Sequence, residues 1–262
     1  VKLKQINFIS NLMREAMSEG RNGLLWHEGT ALYREMGYNN LQREQFITPQ
    51  EVNDDLRPSF EAEKFMVGVV SPDLYHKTKN GGLRWFTDPS DLPKLIAEMS
   101  EAVQHSPAAR EKGAPVDIYG YAIRESFEPA VGINEMLVSM VNDPAFGPIG
   151  IVGLGGTESE EMQALFKQEV AIFKPENLNE LEDRLKDTSA QIGLDFGFPL
   201  EPISRLLGVL FDIGKYFSYT NRNNPWVMTA MEVNPLYIPS LTVCQLLSAG
   251  FLFDSWCFFV IF

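Results

Sequence analysis

Two strand-like runs joined by a short polar loop constrain this chain more than any other stretch. Residues 64–70 (KFMVGVV) and 83–87 (LRWFT) both read as β-strand. Between them lie the turn Ser71-Pro72-Asp73 and the loop His76-Lys77-Thr78-Lys79-Asn80-Gly81-Gly82. Further strands are expected at 116–123, 136–141, 149–152 and 226–233. Helices are expected between them. Residues 3–18 place Leu3, Ile6, Ile9, Leu12, Met13 and Met17 near helical spacing, and Gly20 and Gly23 end the pattern. Residues 28–37 read as a second helix, and another opens at Asp88-Pro89 and runs to about 104. Thr48-Pro49-Gln50-Glu51 has the form of a helix start, with Thr at the cap and Glu at the third position. Residues 179–192 and 202–217 complete the helices, and the polar stretch 107–115 reads as a connector. Interspersed strands and helices give an α/β (α+β) class with two lobes. The expected division is a helix in 1–25, a first lobe in 26–115, a second in 116–238 and an apolar tail in 239–262.

The tail needs its own reading. Residues 241–262 (LTVCQLLSAGFLFDSWCFFVIF) approach the length of a membrane span. Asp254, Gln245, Ser248 and Ser255 interrupt the apolar run, and no basic cluster flanks it. A buried strand pair or helix is therefore expected ahead of a membrane anchor. The N-terminal residues have no apolar core or cleavage site of a signal peptide, so a cytoplasmic setting is expected. Two Cys and three His leave no Cys/His zinc framework. A formal charge of −13 argues against nucleic acid as a partner, because such binding runs on phosphate neutralisation by Lys and Arg. It leaves room for a nucleotide held by a few donors and Mg²⁺.

Three clusters carry candidate chemistry. In the first, the loop from His76 to Gly82, glycine N–H groups can approach an anion, and a histidine can serve as nucleophile or acid/base. The same residues also suit an exposed polar hairpin. The second joins Asp143-Pro144-Ala145-Phe146-Gly147-Pro148 to Gly153-Leu154-Gly155-Gly156, and suits either a nucleotide cleft or a tight turn with a Phe plug. It is neither a Rossmann fingerprint nor a P-loop. The third is Glu232-Val233-Asn234-Pro235-Leu236. Period two puts Glu232 and Asn234 on one face as hard oxygen donors suited to Mg²⁺, or Asn-Pro simply ends a strand.

Read in order, these clusters resemble the ATP-grasp domain of NDP-forming acyl-CoA synthetases (acetate–CoA ligase, ADP-forming, and relatives of the succinyl-CoA synthetase β subunit). The matching residues are Val70-Ser71-Pro72-Asp73-Leu74-Tyr75-His76-Lys77-Thr78 with Gly81-Gly82, Glu135 with 143–148, Gly153-Leu154-Gly155-Gly156 with Glu160, and Glu232-Val233-Asn234-Pro235-Leu236. The resemblance covers about 28–238 and implies a two-lobed ATP-grasp fold, with 26–115 and 116–238 as the lobes. It implies acyl-CoA synthesis from a carboxylic acid, CoA and ATP by way of an acyl phosphate and a phosphohistidine. His76 would carry the phosphoryl group. Lys77, Gly81, Gly82, Glu125, Glu135, Gly155 and Gly156 would bind nucleotide, and Glu232 and Asn234 would hold Mg²⁺. CoA would be bound by an α-type partner subunit or domain, with the small carboxylic acid reached through that partner.

The chain also departs from the family. Counting back from His76, the family's nucleotide-binding lysine falls at Gly68, and Lys64 or Lys79 are the candidate substitutes. Lys79 stands where an acidic residue is usual, Ser139 where a glycine is, and Ala164 where a further acid is. The returning strand that usually bears a metal-binding aspartate reads Leu247-Ser248-Ala249-Gly250-Phe251, with Asp254 the nearest acid. The alternative reading is accordingly a degenerate ATP-grasp module that binds nucleotide or a partner with little or no turnover.

Overall fold

The computed structural model describes residues 2–38, 43–74, 77–126, 135–155, 170–186, 188–195, 197–224, 226–237 and 257–261. The chain divides into two compact units, each built from separate stretches of sequence.

The first unit comprises Leu25–His27 and Gln42–Phe127. Its sheet has four strands, β1 (Glu44–Ile47), β2 (Phe65–Val70), β3 (Leu83–Phe86) and β4 (Gly120–Glu125), in the order β1-β4-β2-β3. Every pair is antiparallel. β2 is buried along its whole length, as its unbroken apolar run requires of a strand covered on both faces. Phe65, Val67 and Val69 share a core with Ile96, Met99 and Val103 of α3 (Leu92–Gln104). The capping box at Thr48 is present: the Glu51 carboxylate accepts from the Thr48 N–H and hydroxyl. It opens a single 3-10 turn, Pro49–Glu51.

Three expectations change in this unit. The expected connector at 107–115 contains a helix, α4 (Pro107–Lys112). Ser106 caps it by accepting the Ala109 N–H, and Gly113 closes it with φ +66°. The strand expected from 116 begins at Gly120 and pairs with β1 and β2. The chain therefore leaves this unit after Phe127 rather than at 115. β1 carries no strand signal strong enough to read alone, and forms by pairing with β4 about 80 residues away.

The second unit comprises Val1–Leu24, Glu28–Leu41 and Glu128–Phe262. Its sheet runs β7-β6-β5-β8-β9, with β5 (Glu135–Asp143), β6 (Gly147–Leu154), β7 (Val170–Phe173), β8 (Ala230–Tyr237) and β9 (Cys257–Ile261), all antiparallel. β7 was not expected from sequence. The helix expected at 179–192 is broken into a 3-10 turn (Pro175–Glu180), α5 (Leu181–Leu185) and α6 (Ala190–Asp195). The break falls at Thr188 and Ser189, whose hydroxyls bond backbone instead of leaving the helix ladder intact. α7 (Leu200–Tyr216) lies on one face of the sheet. Close approach there requires glycine: a Cβ at Gly150 would meet Phe211 at 2.7 Å, and one at Gly214 would meet Met140 at 2.8 Å. Of the spaced apolar residues in the N-terminal α1 (Leu3–Ser18), Ile9 and Met13 are buried, together with Ala16, whereas Leu3 and Met17 at its ends are exposed. α2 runs Trp26–Glu35, two residues ahead of the expected 28–37. Arg21, with its side chain 4% exposed, forks onto Glu28 with distances of 2.9 and 2.8 Å. Burial pulls its pKa down, but the bonds and charges of Glu28 and Glu19 outweigh this and hold it above the usual arginine value.

One buried amide fastens α7 to the sheet. Asn142 Nδ2 donates to the carbonyls of Gly214 (3.0 Å), Phe217 (3.3 Å) and Met228 (2.8 Å). Asn142→Ala strips these carbonyls of a shared donor in the core. It is expected to cost about 2–3 kcal/mol, read as a lower urea midpoint at unchanged slope.

The tail is a strand where it is described: β9 pairs with β8. Among the described residues no helix is long and apolar enough to cross a membrane.

Candidate functional site

The candidate residues fall into two groups, one in each unit. His76 and Gly156 lie outside the described residues, as do Tyr75, Glu160, Ala164 and Asp254. Only the backbone of Asn234 is described.

In the first unit, the loop before β3 is a closed turn. Gly82 N–H donates to the Lys77 carbonyl at 2.8 Å, and Gly81 N–H to Thr78 at 3.2 Å. Gly81 has φ +73°, a conformation that favours glycine, and Gly82 packs against Val103 of α3. The pair therefore closes the turn and admits α3, and both N–H groups are committed to that turn. Lys77 is the loop lysine carried inward: its Nζ sits 4.8 Å from the centroid of the Trp26 ring. Lys79 is exposed, and Lys64 is half-buried just ahead of β2. Glu125, at the end of β4, receives Arg43 in a two-pronged pair of 2.6 and 2.8 Å. The Glu125 hydrogen bond is the main cause that raises the Arg43 pKa.

Sequence reading missed the residues that surround Gly68. Trp26 at the start of α2 covers it, and the Arg124 guanidinium stacks on the same ring at 3.9 Å. Arg124 is also ion-paired with Glu44, its direct partner across β1 and β4. Both side chains are almost wholly buried, at 3% and 5% exposure. His27 stacks on Phe46 with centroids 4.0 Å apart. The available signal was Arg124 itself, a cation inside the run Tyr121-Ala122-Ile123, since a buried arginine demands a partner.

In the second unit, Glu135 and Glu232 lie on one sheet, with Glu135 about 13 Å along β5 from the residue opposite Glu232. Gly155 N–H donates to the Glu135 carbonyl at 3.0 Å. Glu232 on β8 stands opposite Ser139 on β5, and Glu135 shares the face of Ser139 by period two. Ser139 is buried and donates its hydroxyl to the Met231 carbonyl at 3.1 Å. The β5–β8 register slips between Met136 and Val138, so Asn234-Pro235 occupies a bulge. Proline needs such a break, having no N–H to give the ladder. Beneath the sheet, Tyr33 of α2 is fully buried, and its pKa lies well above the usual tyrosine value. Burial is the main cause, with smaller contributions from Tyr38 and from the negative charge of Glu232. Tyr38 is likewise pushed up by burial, to about 12.

A divalent ion finds only part of a donor set here. Glu232 offers hard oxygens, and Mg²⁺ is ordinarily held by one or two carboxylates together with substrate phosphates. The returning strand β9 is present, but it sets Phe259 opposite Glu232 and Cys257 opposite Asn234. Among the described residues there is no cluster of three His, Cys, Asp or Glu able to hold a metal.

Two helix-layered antiparallel sheets, with acidic and glycine positions at their strand ends, define a two-unit α+β protein of the nucleotide-grasping class. The chain belongs to the ATP-grasp domain family, which matches residues 15–246. Over 96 residues, 36% of the chain, it is 33% identical to acetate–CoA ligase [ADP-forming] I of Archaeoglobus fulgidus, and it spans 13% of that relative's length. Among solved structures, PH1788 from Pyrococcus horikoshii Ot3 superposes with a TM-score of 0.67 at 15% identity, covering 100% of this chain and 98% of that one. The dinucleotide-forming acetyl-coenzyme A synthetase 1 of Candidatus Korarchaeum cryptofilum, in complex with coenzyme A and Ca-AMPCP, superposes at 0.62 with 18% identity, covering 96% and 98%. At these identities the structural likeness is one of fold. The two-lobed ATP-grasp expectation agrees with the family match and with these neighbours.

Proposed function

We propose that this chain is the ATP-grasp component of an ADP-forming acyl-CoA synthetase. The observation that carries the reading is that Glu135 and Glu232 stand on one sheet of an ATP-grasp domain, with Gly155 bonded to the backbone of Glu135. The stretch related to an ADP-forming acetate–CoA ligase adds support. In this reading Lys77, Gly81, Gly82, Glu125, Glu135, Gly155 and Gly156 bind nucleotide. Glu232 and Asn234 hold Mg²⁺, and His76 passes the phosphoryl group. Bound Mg²⁺ spreads the charge of the transferring phosphoryl group. The remaining work falls to the chain's own residues: Lys77 places a positive charge by the loop, and Glu135 and Glu232 orient polar groups on the five-stranded sheet. CoA and the small carboxylic acid belong to an α-type partner subunit or domain.

The test has two parts. Titration calorimetry with ATP and Mg²⁺ is expected to show binding. Addition of the CoA-binding subunit of an ADP-forming acetate–CoA ligase, with CoA and short carboxylic acids, is expected to yield acyl-CoA and ADP. Absence of heat at millimolar nucleotide overturns the reading. Nucleotide binding without acyl-CoA formation moves it to the second reading, a binding module without turnover. Two observations favour that alternative: an indole stands over Gly68, and the residue paired with Glu232 on β9 is Phe259 rather than an acid.

A further inference from the structure

Position 68 in β2 is glycine for a steric reason. A Cβ built there would lie 2.5 Å from Cζ3 of Trp26, 3.2 Å from its Cη2 and 3.0 Å from Cδ1 of Leu83. The residue paired with it on β4 is Ala122. Two small residues on neighbouring strands thus leave a hollow, and the indole fills it. The ring is fixed there, since Trp26 is only 4% exposed. It also gathers charge, with the Arg124 guanidinium 3.9 Å and the Lys77 ammonium 4.8 Å from the ring. The cations of this sheet face are therefore held on the indole, and none can project from residue 68.

We propose that Trp26 decides whether this unit takes a nucleoside triphosphate at position 68, because its indole occupies the volume that a phosphate-binding side chain there would need. Trp26 and Gly68 are a matched pair. Restoring a lysine at 68 alone forces a side chain into a buried ring, and both residues must change before the site can carry that charge. The proposal deepens the reading of the chain as an ATP-grasp component, and rests on it for the role of position 68.

Four proteins test it: wild type, Gly68→Lys, Trp26→Ala and the double variant, each examined by thermal melting and by ATP–Mg²⁺ calorimetry. Gly68→Lys alone is expected to melt lower than wild type and to gain no affinity. The double variant is expected to melt above Gly68→Lys and to bind ATP–Mg²⁺ about tenfold to a hundredfold tighter than Trp26→Ala, the gain from one charged hydrogen bond. A Gly68→Lys protein with wild-type melting and that gain overturns the proposal. So does a folded double variant that binds no tighter than Trp26→Ala. A second cycle guards against loss of fold in the double variant. Gly68→Ala is expected to lower melting in the wild-type background and to leave it unchanged beside Trp26→Ala, and equal losses in both backgrounds overturn the proposal. This second cycle contains no nucleotide, so it stands or falls separately from the acyl-CoA assay.

Discussion

Replacing Arg124 by alanine is expected to lower the stability of the four-stranded unit by about 3–5 kcal/mol. The guanidinium and its partner Glu44 are both almost wholly buried, and they face each other across β1 and β4. Removing the arginine strands a carboxylate away from water, and that desolvation is the larger part of the loss. The rest comes from the ring of Trp26, which loses the cation stacked on it. β1 is the element most exposed to the change. It is four residues long, lies at the edge of its sheet and, among the described residues, pairs only with β4. Amide exchange along β1 and β4 should therefore quicken before that of β2, and a urea midpoint should report the total. Replacing the pair together, as Arg124→Met with Glu44→Leu, is expected to recover most of the loss, because no charge is then left unpaired. A single variant within about 1 kcal/mol of wild type would show that the pair is not structural.

The same pair explains what the sequence could and could not disclose. β2, α1, α3 and α7 are long apolar or periodic runs, and their local signal coincides with their tertiary role. β1 reads Glu-Gln-Phe-Ile, and only a strand far along the chain makes it a strand. α4 was masked by polar composition, although Ser106, Pro107 and Gly113 supply a cap, a first-turn proline and a left-handed stop. At the site, spacing located the glycine pair before β3 but not its use, because turn closure and anion binding call for the same residue type. The glycine at 68, where the resemblance leads one to expect a lysine, was visible in the sequence, but the indole over it was not. Trp26 lies 42 positions earlier, and an aromatic at a helix start reads as ordinary core. On the second sheet, Glu232 and Asn234 could be placed on β8 from period two. Their neighbours Phe259 and Cys257 depend on the register of a strand some twenty residues later.

His76→Ala is expected to abolish acyl-CoA formation while leaving ATP–Mg²⁺ affinity nearly unchanged, if the chain works as the ATP-grasp component proposed above. The argument is chemical. The unprotonated ring nitrogen of neutral imidazole attacks the γ-phosphorus of ATP, the bond to the bridging oxygen of ADP breaks, and the other ring nitrogen releases its proton. The phosphoryl group is then joined through a P–N bond, which survives base and is lost in acid. Label from γ-labelled ATP should follow that pattern on wild type and be absent from His76→Ala. In the proposed reading nucleotide affinity rests on other groups, among them Lys77 and Glu125, so deleting the imidazole removes a reacting atom rather than a binding contact. The competing reading of the loop as a polar hairpin gives the opposite result. Gly81 and Gly82 already close the turn through Thr78 and Lys77 carbonyls, with no help needed from residue 76. A variant with wild-type turnover and acid-stable label would therefore assign the loop to turn closure alone. It would also move the phosphoryl acceptor away from residue 76.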